Sequence, residues 1–396
     1  MRRILLLAIV SVLATLGLYA QTAQITGRVV DASDAVMPGV SVEVTNESTG
    51  IVRKSETNAE GYYSVPLLPP GAYRMMVTAE GFRPASREAI RLTVDQIARI
   101  DFVLQLGSVS ETVSVTGEVP LLETQTGALR GLVDEQRIVG LPLNGRDMTQ
   151  LLAIQGGVIP RTQAGSEGNA FSVNGTRGNG VAYNLDGGMN TNSYRNYSGM
   201  FPNPDTVQEF SMQKNNFSAE YSNASGAVVN VITKSGTNEF HGSLFHFVRN
   251  AQFNARNFFA ASRDSLKRNQ FGGTLGGPVI RNKAFFFFGY QGTILRSDPP
   301  VTRQFLPTAA MRNGDFSSVT TQLRDPATNL PYAGNQIPQS QISPVTQRFL
   351  EYLPVPSTPT GERFIGAPLR PNEHEYTVRG DYDLGNHRIT GRLFWK

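Results

Sequence analysis

The sequence predicts a mainly β protein built from several parts. Its 396 residues include 39 Gly and 23 Pro, a composition that favours many turns and short strands over long helices. Apolar and polar residues alternate with a period of two in several segments, among them residues 40–44 and 375–384. Beyond the first 20 residues no apolar run is long enough to cross a bilayer as a helix, so any insertion into a membrane must use strands.

The charge balance and the absence of cysteine exclude several classes of function. The formal net charge is +4, and it falls by two if Arg2 and Arg3 are removed with the N-terminal segment. That balance is far from the strongly basic surface of a nucleic-acid-binding protein. The chain has no Cys, which rules out disulfides, a thiolate nucleophile, Cys-ligated zinc and a lipoprotein anchor.

Residues 1–20 have the order of an export signal peptide. Arg2 and Arg3 form the basic start, residues 4–18 the apolar run, and Tyr19-Ala20-Gln21 the small-residue exit. A retained membrane anchor is the alternative, but the run is shorter than the ~20 residues that span a bilayer. We therefore predict cleavage after Ala20 or Ala23.

Residues 24–106 predict a β-sandwich, because short alternating runs are separated by turns at 58–61 and 68–71. The segments ITGRVVD, MPGVSVEV, TNAEGYYSVPLLPPGAYRM and TAEGFRP resemble the carboxypeptidase regulatory-like family, whose members are transthyretin-like sandwiches. The resemblance implies a periplasmic or surface domain with a fold shared by carbohydrate-binding modules. The expected strands are 25–30, 40–44, 62–65, 73–78, 90–94 and 100–104.

Residues 107–117 join this domain to the next. They contain a short extended run that resembles a TonB box, the segment that the energising protein TonB would grip as an added strand. The alternative is a last sandwich strand that runs into a linker. The candidate residues are Glu111, Thr112, Val113, Ser114, Val115 and Thr116.

Residues 118–235 resemble the plug domain of TonB-dependent receptors. The motifs are DTVQEFSMQKNNFSAEYSNASGAVVNVITKSGT (205–237), LPLNGRD (141–147) and FSVNGTRGNGVAYNLDGG (171–188), the last two similar to the Oar-like branch. The resemblance implies a final plug strand at 227–234. The period of two through Phe171 and Val173, and again through Val181, Tyr183 and Leu185, predicts a hairpin with long Gly/Asn turns.

From residue 236 onward the sequence resembles the start of an Oar-like outer-membrane barrel. The strands FHGSLFHFVRN, RNQFGGTLGGPVI and NKAFFFFGYQGTIL are followed by a Pro-rich stretch at 297–372, predicted to be a long extracellular loop. The fold class is therefore mainly β: a transthyretin-like β-sandwich, an α+β plug domain, and the first strands of an antiparallel outer-membrane β-barrel. About five strands are expected after residue 236, fewer than the ~22 of such barrels, so we expect a fragment or a truncated product.

The last hairpin has a predictable register. If Gly385-Asn386 is a two-residue turn, apolar residues of 376–395 share one face and charged residues the other, as a barrel with lipid outside and water inside requires. An amphipathic hairpin on a soluble core is the alternative. Arg379 would face Arg392, a repulsion tolerable only in water. The other expected pairs are Tyr376 with Trp395, Val378 with Leu393, Tyr382 with Ile389, Asp383 with Arg388 and Glu375 with Lys396.

No residue pattern predicts an enzyme, a cofactor or a metal site. His241 and His246 lie five residues apart on a predicted strand and so point to opposite faces, and the register keeps His374 away from His387. Neither a phosphate-binding loop of P-loop spacing nor a nucleophile elbow is present in the sequence.

These features together predict a TonB-dependent receptor that takes up, or exports, a ligand across the outer membrane. The expected location is the outer membrane, with the sandwich and the TonB box in the periplasm. The expected partners are TonB with its inner-membrane complex, outer-membrane lipid and an extracellular carbohydrate, siderophore or peptide, with no nucleic acid. The alternative function is a carbohydrate-binding-like surface or periplasmic protein without transport activity.

Overall fold

The structure is a computed structural model that describes residues 22–107, 113–115, 127–161, 170–192, 194, 196–219, 221, 224–256, 258, 263–297, 302–356, 358–365, 369–385 and 387–396. The predicted signal peptide lies outside these residues. So do Glu111, Thr112 and Thr116 of the predicted TonB box. Within the described residues, no helix has the length and apolar character needed to cross a bilayer.

The N-terminal part is a two-sheet sandwich, as predicted. One sheet has the order β4-β1-β7, with β8 also paired to β1, and the other has the order β3-β2-β5-β6-β9. Buried residues alternate with more exposed ones along β1 and β2, and the buried side chains of both sheets form one apolar core. The strands are β1 (Ala23–Asp31), β2 (Ser41–Asn46), β3 (Val52–Glu56), β4 (Tyr62–Leu68), β5 (Gly71–Thr78), β6 (Ala85–Leu92), β7 (Ile97–Arg99), β8 (Phe102–Leu104) and β9 (Val113–Val115).

The turn after β6 explains why the strand predicted at 90–94 is displaced. The strand ends at Leu92, because Gln96 accepts hydrogen bonds from the Thr93 amide (2.9 Å) and Thr93 hydroxyl (3.1 Å) and closes a turn. Asp95 in this turn has a φ of 59°, a left-handed conformation outside the β region. The predicted boundary was wrong because apolar alternation continues through Val94 into a turn.

The second part, described from residue 127 to 235 and here called the central module, is built around a mixed sheet of order β10-β15-β16-β13-β14. β16 is buried at every position, with β15 antiparallel on one side and β13 parallel on the other. The elements are β10 (Arg130–Asp134), α1 (Glu135–Gly140), a 3-10 turn (Met148–Leu152), β11 (Val158–Arg161), β12 (Ala170–Val173), β13 (Val181–Leu185), β14 (Gly188–Met189), a second 3-10 turn (Pro204–Thr206), β15 (Val207–Gln213) and β16 (Ala227–Thr233).

The hairpin predicted between residues 171–173 and 181–185 is wrong. Both strands exist, but β12 pairs with β11, and β13 pairs with β16 and β14. Val181, Ala182 and Tyr183 are all buried, so β13 is covered on both faces, as expected of a strand with a parallel neighbour. Alternation alone does not distinguish such a strand from one arm of a hairpin.

The third part contains the five strands expected after residue 236, in the order β17-β18-β19-β22-β23. β22 and β23 form an antiparallel hairpin. The connections 281–283 and 384–387 are short, whereas 251–266 and 297–371 are long. The strands are β17 (His241–Asn250), β18 (Lys267–Ile280), β19 (Ala284–Arg296), β22 (Asn372–Asp383) and β23 (Arg388–Trp395), with β20 (Thr302–Phe305) and β21 (Glu362–Ile365) in the long segment between β19 and β22.

The chain divides into two compact units. The first comprises Met1–Phe245, Phe271–Gly292 and His374–Lys396, and the second His246–Gln270 and Thr293–Glu373. The second unit contains the pair β20–β21 and the helices α2 (Ala309–Arg312) and α3 (Pro344–Tyr352). Arg312 donates to the carbonyls of Leu350, Leu353 and Pro354 at 2.8–2.9 Å. The Pro-rich stretch thus has an internal structure that its composition did not predict.

Candidate functional site

The hairpin of β22 and β23 has the predicted register. Tyr376 lies opposite Trp395, Val378 opposite Leu393 and Asp383 opposite Arg388, and the two aromatic rings stack with centroids 5.6 Å apart. The amide of Leu384 donates to the carbonyl of His387 at 2.8 Å and closes the hairpin. Glu375 forms the predicted ion pair with Lys396, at 3.0 Å.

On β22 the charged face of this hairpin is buried, which corrects the expectation of a water-lined surface there. Thr377 is fully buried, and Glu375, Arg379, Asp381 and Asp383 are each less than a tenth exposed. The opposite face is open: Val378 is 44% exposed and Leu393 is 65% exposed. Side chains of the central module take the place that water was expected to fill.

Asp186 of the central module is the counter-ion that makes the facing arginines compatible. Its carboxylate pairs with Arg379, 3.5 Å away, and with Arg392. It also accepts hydrogen bonds from the amide and hydroxyl of Thr233, both at 2.7 Å, and Arg379 donates to the Thr233 carbonyl at 2.7 Å. The repulsion predicted between Arg379 and Arg392 is therefore offset by one carboxylate, and the end of β16 is attached to the hairpin.

Asp381 supplies a second negative charge on the same face. It lies 3.0 Å from Arg379 and 3.0 Å from Arg388, and it accepts from the Thr390 hydroxyl at 2.8 Å. A buried charge is tolerated when it is paired and hydrogen-bonded. Two aspartates and three arginines thus form one continuous network that joins the turn after β13 to β22 and β23.

Arg146 makes a second attachment between the central module and the strands that follow it. Gly145 and Arg146 both have positive φ, 79° and 58°, which turns the chain sharply within the LNGRD motif. The guanidinium pairs with Asp205, donates to Gln291 at 2.9 Å and lies over the Phe245 ring, 4.3 Å from its centroid. Burial lowers the pKa of Arg146 to about 10, so it remains charged at neutral pH.

The sandwich is attached to the central module through the turn after β6. Asp95 accepts hydrogen bonds from Ser211 (2.9 Å), Gln213 (3.2 Å) and Asn230, all on β15 or β16. Beside it, the carbonyl of Val94 accepts from Arg130, and its amide donates to the Glu209 carboxylate. The strained φ of Asp95 is thus used to aim one carboxylate at three donors.

Glu209 is the titratable group in this contact. Its side chain is buried against the sandwich, and burial raises its pKa to about 7, although the Val94 amide, Arg91 and Arg130 favour the charged form. Asp95 adds a negative charge that disfavours ionisation. The carboxyl therefore exchanges its proton near neutral pH.

We expect the attachment to weaken as pH rises. The pKa of Glu209 is higher in the folded chain than in the unfolded chain, so protonation of Glu209 favours the folded form. This stabilisation is fully present below pH 4.5 and is lost as pH rises through 7. The loss is on the order of 3 kcal/mol at 1.36 kcal/mol per pKa unit. Amide exchange in 207–213 should accelerate between pH 5 and 8 in the native chain, after correction for intrinsic rates, and Glu209→Gln should remove that dependence. A corrected pH profile of amide exchange that is the same in the native chain and in Glu209→Gln would contradict a role of the Glu209 proton in this attachment.

The sandwich also contacts the short turns of the last part. Arg53 pairs with Asp383 and donates to the Gly385 carbonyl, at the hairpin turn. The amide of Asn238 donates to the Ser48 carbonyl at 3.0 Å, and its side chain donates to Asn282, in the turn between β18 and β19, at 2.6 Å. The sandwich therefore lies at the end of the sheet where the connections are short.

Of the predicted TonB box, the structure describes Val113–Val115. These residues form β9, which pairs in parallel with β6. This pairing agrees with the alternative prediction, in which the segment is a last strand of the sandwich. Binding of the segment to TonB stays a prediction.

The histidines have local partners. His374 Nδ1 lies 2.9 Å from the Tyr290 hydroxyl, and His241 Nδ1 lies 3.1 Å from the Glu239 carbonyl. Across the described ranges, no three His, Asp or Glu side chains are grouped as metal ligands would be.

Several residues that join the parts were not identified from the sequence. Asp186, Arg146 and Asp205 lie within the recognised motifs, but the motifs do not distinguish them from other turn and strand residues. The mismatch of Arg379 and Arg392 was the available signal, because a buried cation that faces a second cation requires an anion from elsewhere in the chain.

Comparison with known proteins identifies the first and last parts. Residues 24–105 match the carboxypeptidase regulatory-like domain, and residues 232–396 match the outer membrane beta barrel domain. The chain carries both of these domains. It is also 28% identical over 299 residues to the TonB-dependent transporter Oar of Myxococcus xanthus, a match that covers 70% of this chain and 27% of the relative.

The predicted resemblance to Oar-like TonB-dependent receptors and the outer-membrane location are thereby confirmed. The chain spans about a quarter of the length of that relative. Two solved siderophore receptors named PirA are also similar, each 14% identical. The one from Acinetobacter baumannii covers 68% of this chain and 33% of its own at a TM-score of 0.38, and the one from Pseudomonas aeruginosa covers 67% and 35% at 0.32. Both TM-scores are below the level at which a shared fold is inferred.

Proposed function

We propose that the chain acts in a TonB-dependent transporter that moves a ligand across the outer membrane. In this function β17–β19, β22 and β23 belong to the barrel wall, and the central module is the plug. The sandwich and the TonB box face the periplasm. The observation that carries the proposal is the ion-pair network of Asp186, Arg379 and Arg392, which attaches a separate module to the charged side of a hairpin whose other side is apolar and open.

The open side has the character of a lipid-facing surface. Large apolar residues are exposed on consecutive strands, among them Leu244 at 93%, Val279 at 68%, Ile389 at 59% and Trp395 at 66%. A soluble protein rarely exposes apolar patches of this extent. Transmembrane barrel strands alternate between an apolar outer and a polar inner side chain.

The short turns support the proposed orientation. Outer-membrane barrels have short periplasmic turns and long extracellular loops. The sandwich contacts the short turns through Arg53 and Asn238. The sandwich thus belongs on the periplasmic side, and the long segment 297–371 belongs outside, where a carbohydrate, siderophore or peptide would be captured.

The polar attachments explain why such a transporter needs an energised partner. Moving the plug requires breaking the ion pairs of Asp186 and Arg146, and uncompensated buried charges are costly. A partner that only binds would have to offset this cost by affinity. A partner that pulls on the segment between sandwich and plug, as TonB does in the family, supplies the work mechanically.

A peptide experiment tests the role of residues 111–116. A synthetic peptide of residues 108–118 should bind the C-terminal domain of TonB by strand addition. Val113→Pro should weaken binding about 10-fold more than Val113→Ala, because proline removes a backbone donor and fixes φ. Equal affinities for the two variants in calorimetry, or no binding of the native peptide, would count against a TonB box here.

A further inference from the structure

The strand β9 occupies an edge of the sandwich. Val113, Ser114 and Val115 lie opposite Ala85, Ser86 and Arg87 of β6, in parallel, at the end of the sheet order β3-β2-β5-β6-β9. The other side of β6 is already paired with β5. The hydrogen-bonding edge of β6 that faces away from β5 is therefore used by the same residues that make up the middle of the predicted TonB box.

The chain is guided onto this edge by contacts that precede β9. The amide of Arg83 donates to the Gln105 carbonyl at 2.8 Å, the amide of Gly107 donates to the Gly81 carbonyl at 3.3 Å, and Phe82 forms a β-bridge with Leu106. These contacts lie immediately before the start of β6. They fix the start of the connecting segment beside the strand that β9 joins, and so lower the entropy cost of closing the loop to it.

We propose that the sandwich and TonB compete for this segment, so that the edge of β6 is a docking site for the TonB box. The inference rests on the proposed function. A partner that binds by strand addition pairs with the backbone of the segment that it takes. The backbone of residues 113–115 is already paired with β6 along one edge. TonB can therefore use that edge only when β9 leaves β6.

The consequence is a TonB affinity set in part by the sandwich. The apparent dissociation constant of a partner rises in proportion as its binding-competent state becomes rarer. The whole chain should therefore bind the TonB C-terminal domain at least about 10-fold more weakly than the free peptide 108–118 does. Any change that weakens the pairing of β9 with β6 should therefore raise the affinity of the chain for TonB.

A reversible cross-link tests the competition directly. The chain has no native cysteine, so Ser86→Cys with Ser114→Cys introduces a single possible disulfide between two serines that lie opposite each other. We expect this disulfide to form under mild oxidation, to abolish binding of the TonB C-terminal domain to the whole chain in detergent, and to permit binding again after reduction. The single variant Ser114→Cys is the matched control and should bind TonB equally well in both conditions.

Each outcome has a separate meaning. Failure of the disulfide to form would overturn the docking of β9 on β6. A disulfide that forms while TonB still binds would overturn the competition, since TonB would then be adding to the outer edge of β9. If the free peptide does not bind TonB at all, the proposed TonB box fails, whereas the cross-link still reports on the contact with β6.

Hydrogen exchange supplies a second measurement on the native chain. When TonB takes the segment, the amides of Ala85, Ser86 and Arg87 that face β9 lose their partners. Their exchange should accelerate about 10-fold on addition of TonB, while the amides of 73–77 in β5 remain protected. Unchanged exchange in 85–87 at saturating TonB would contradict the proposal.

Discussion

Asp186→Asn should detach the central module from the β22–β23 hairpin. Asparagine has the size of aspartate and tolerates the left-handed φ of 47° at this position, so the substitution removes charge and little else. It leaves Arg379 and Arg392 facing each other without their shared anion. Breaking a buried ion pair from one side costs about 3–5 kcal/mol.

The loss of this attachment can be measured by amide hydrogen exchange in residues 227–233 and 376–383. A loss of about 3 kcal/mol corresponds to exchange roughly 100-fold faster. Asp34→Asn is the matched control, because Asp34 has a similar φ of 66° on an exposed turn. Combining Asp186→Asn with Arg392→Gln removes one of the two opposed cations and should restore part of the protection. Amide exchange in the Asp186→Asn protein that equals that of the control would show that the network does not hold the central module on the hairpin.

Arg146→Met should have an effect of similar size at the second attachment. Methionine keeps much of the apolar stem that packs near Phe245, but it leaves the Asp205 carboxylate buried without its cation. The expected cost is again about 3–5 kcal/mol. Exchange should accelerate in residues 148–152 and 204–206, which flank the two partners.

A second substitution separates the charge from the packing. Arg146→Met combined with Asp205→Asn removes the uncompensated charge, and it should recover most of the lost protection because apolar replacements of a buried pair are often close to neutral. Arg137→Met, at an exposed arginine of the same module, is the control. If the double variant is as unstable as Arg146→Met alone, packing and not charge accounts for the effect.

The elements best predicted from the sequence were those with local determinants. The β22–β23 register followed from a strict period of two and one tight turn, and every predicted pair is observed, Glu375 with Lys396 as an ion pair. β1, β2, β4, β5 and β8 of the sandwich were predicted for the same reason, whereas β3 and β7 were not among the expected strands. The displaced boundary of β6 shows the limit, because a turn that begins with Thr93 and Val94 continues the apolar pattern.

The attachments between the parts could not be predicted in the same way. Asp186 and Arg392 are separated by 206 positions, and Glu209 and Val94 by 115. No periodicity relates such residues, so only the three-dimensional structure shows which charges meet. The parallel partner of β13 was missed for the same reason, since a parallel pair is always formed by segments distant in sequence.

The orientation of the β22–β23 hairpin is the most direct test of the outer-membrane account. Single cysteines at Val378 and Thr390 can each be spin-labelled without interference, because the chain has no other cysteine. Val378 lies on the apolar face, and Thr390 lies on the charged face beside Asp381. In the outer membrane of a bacterial host, the label at 378 should be accessible to oxygen dissolved in lipid, and the label at 390 should be shielded from it. A label at 390 in lipid with a label at 378 in water would contradict the account, and the hairpin would then belong to a soluble core.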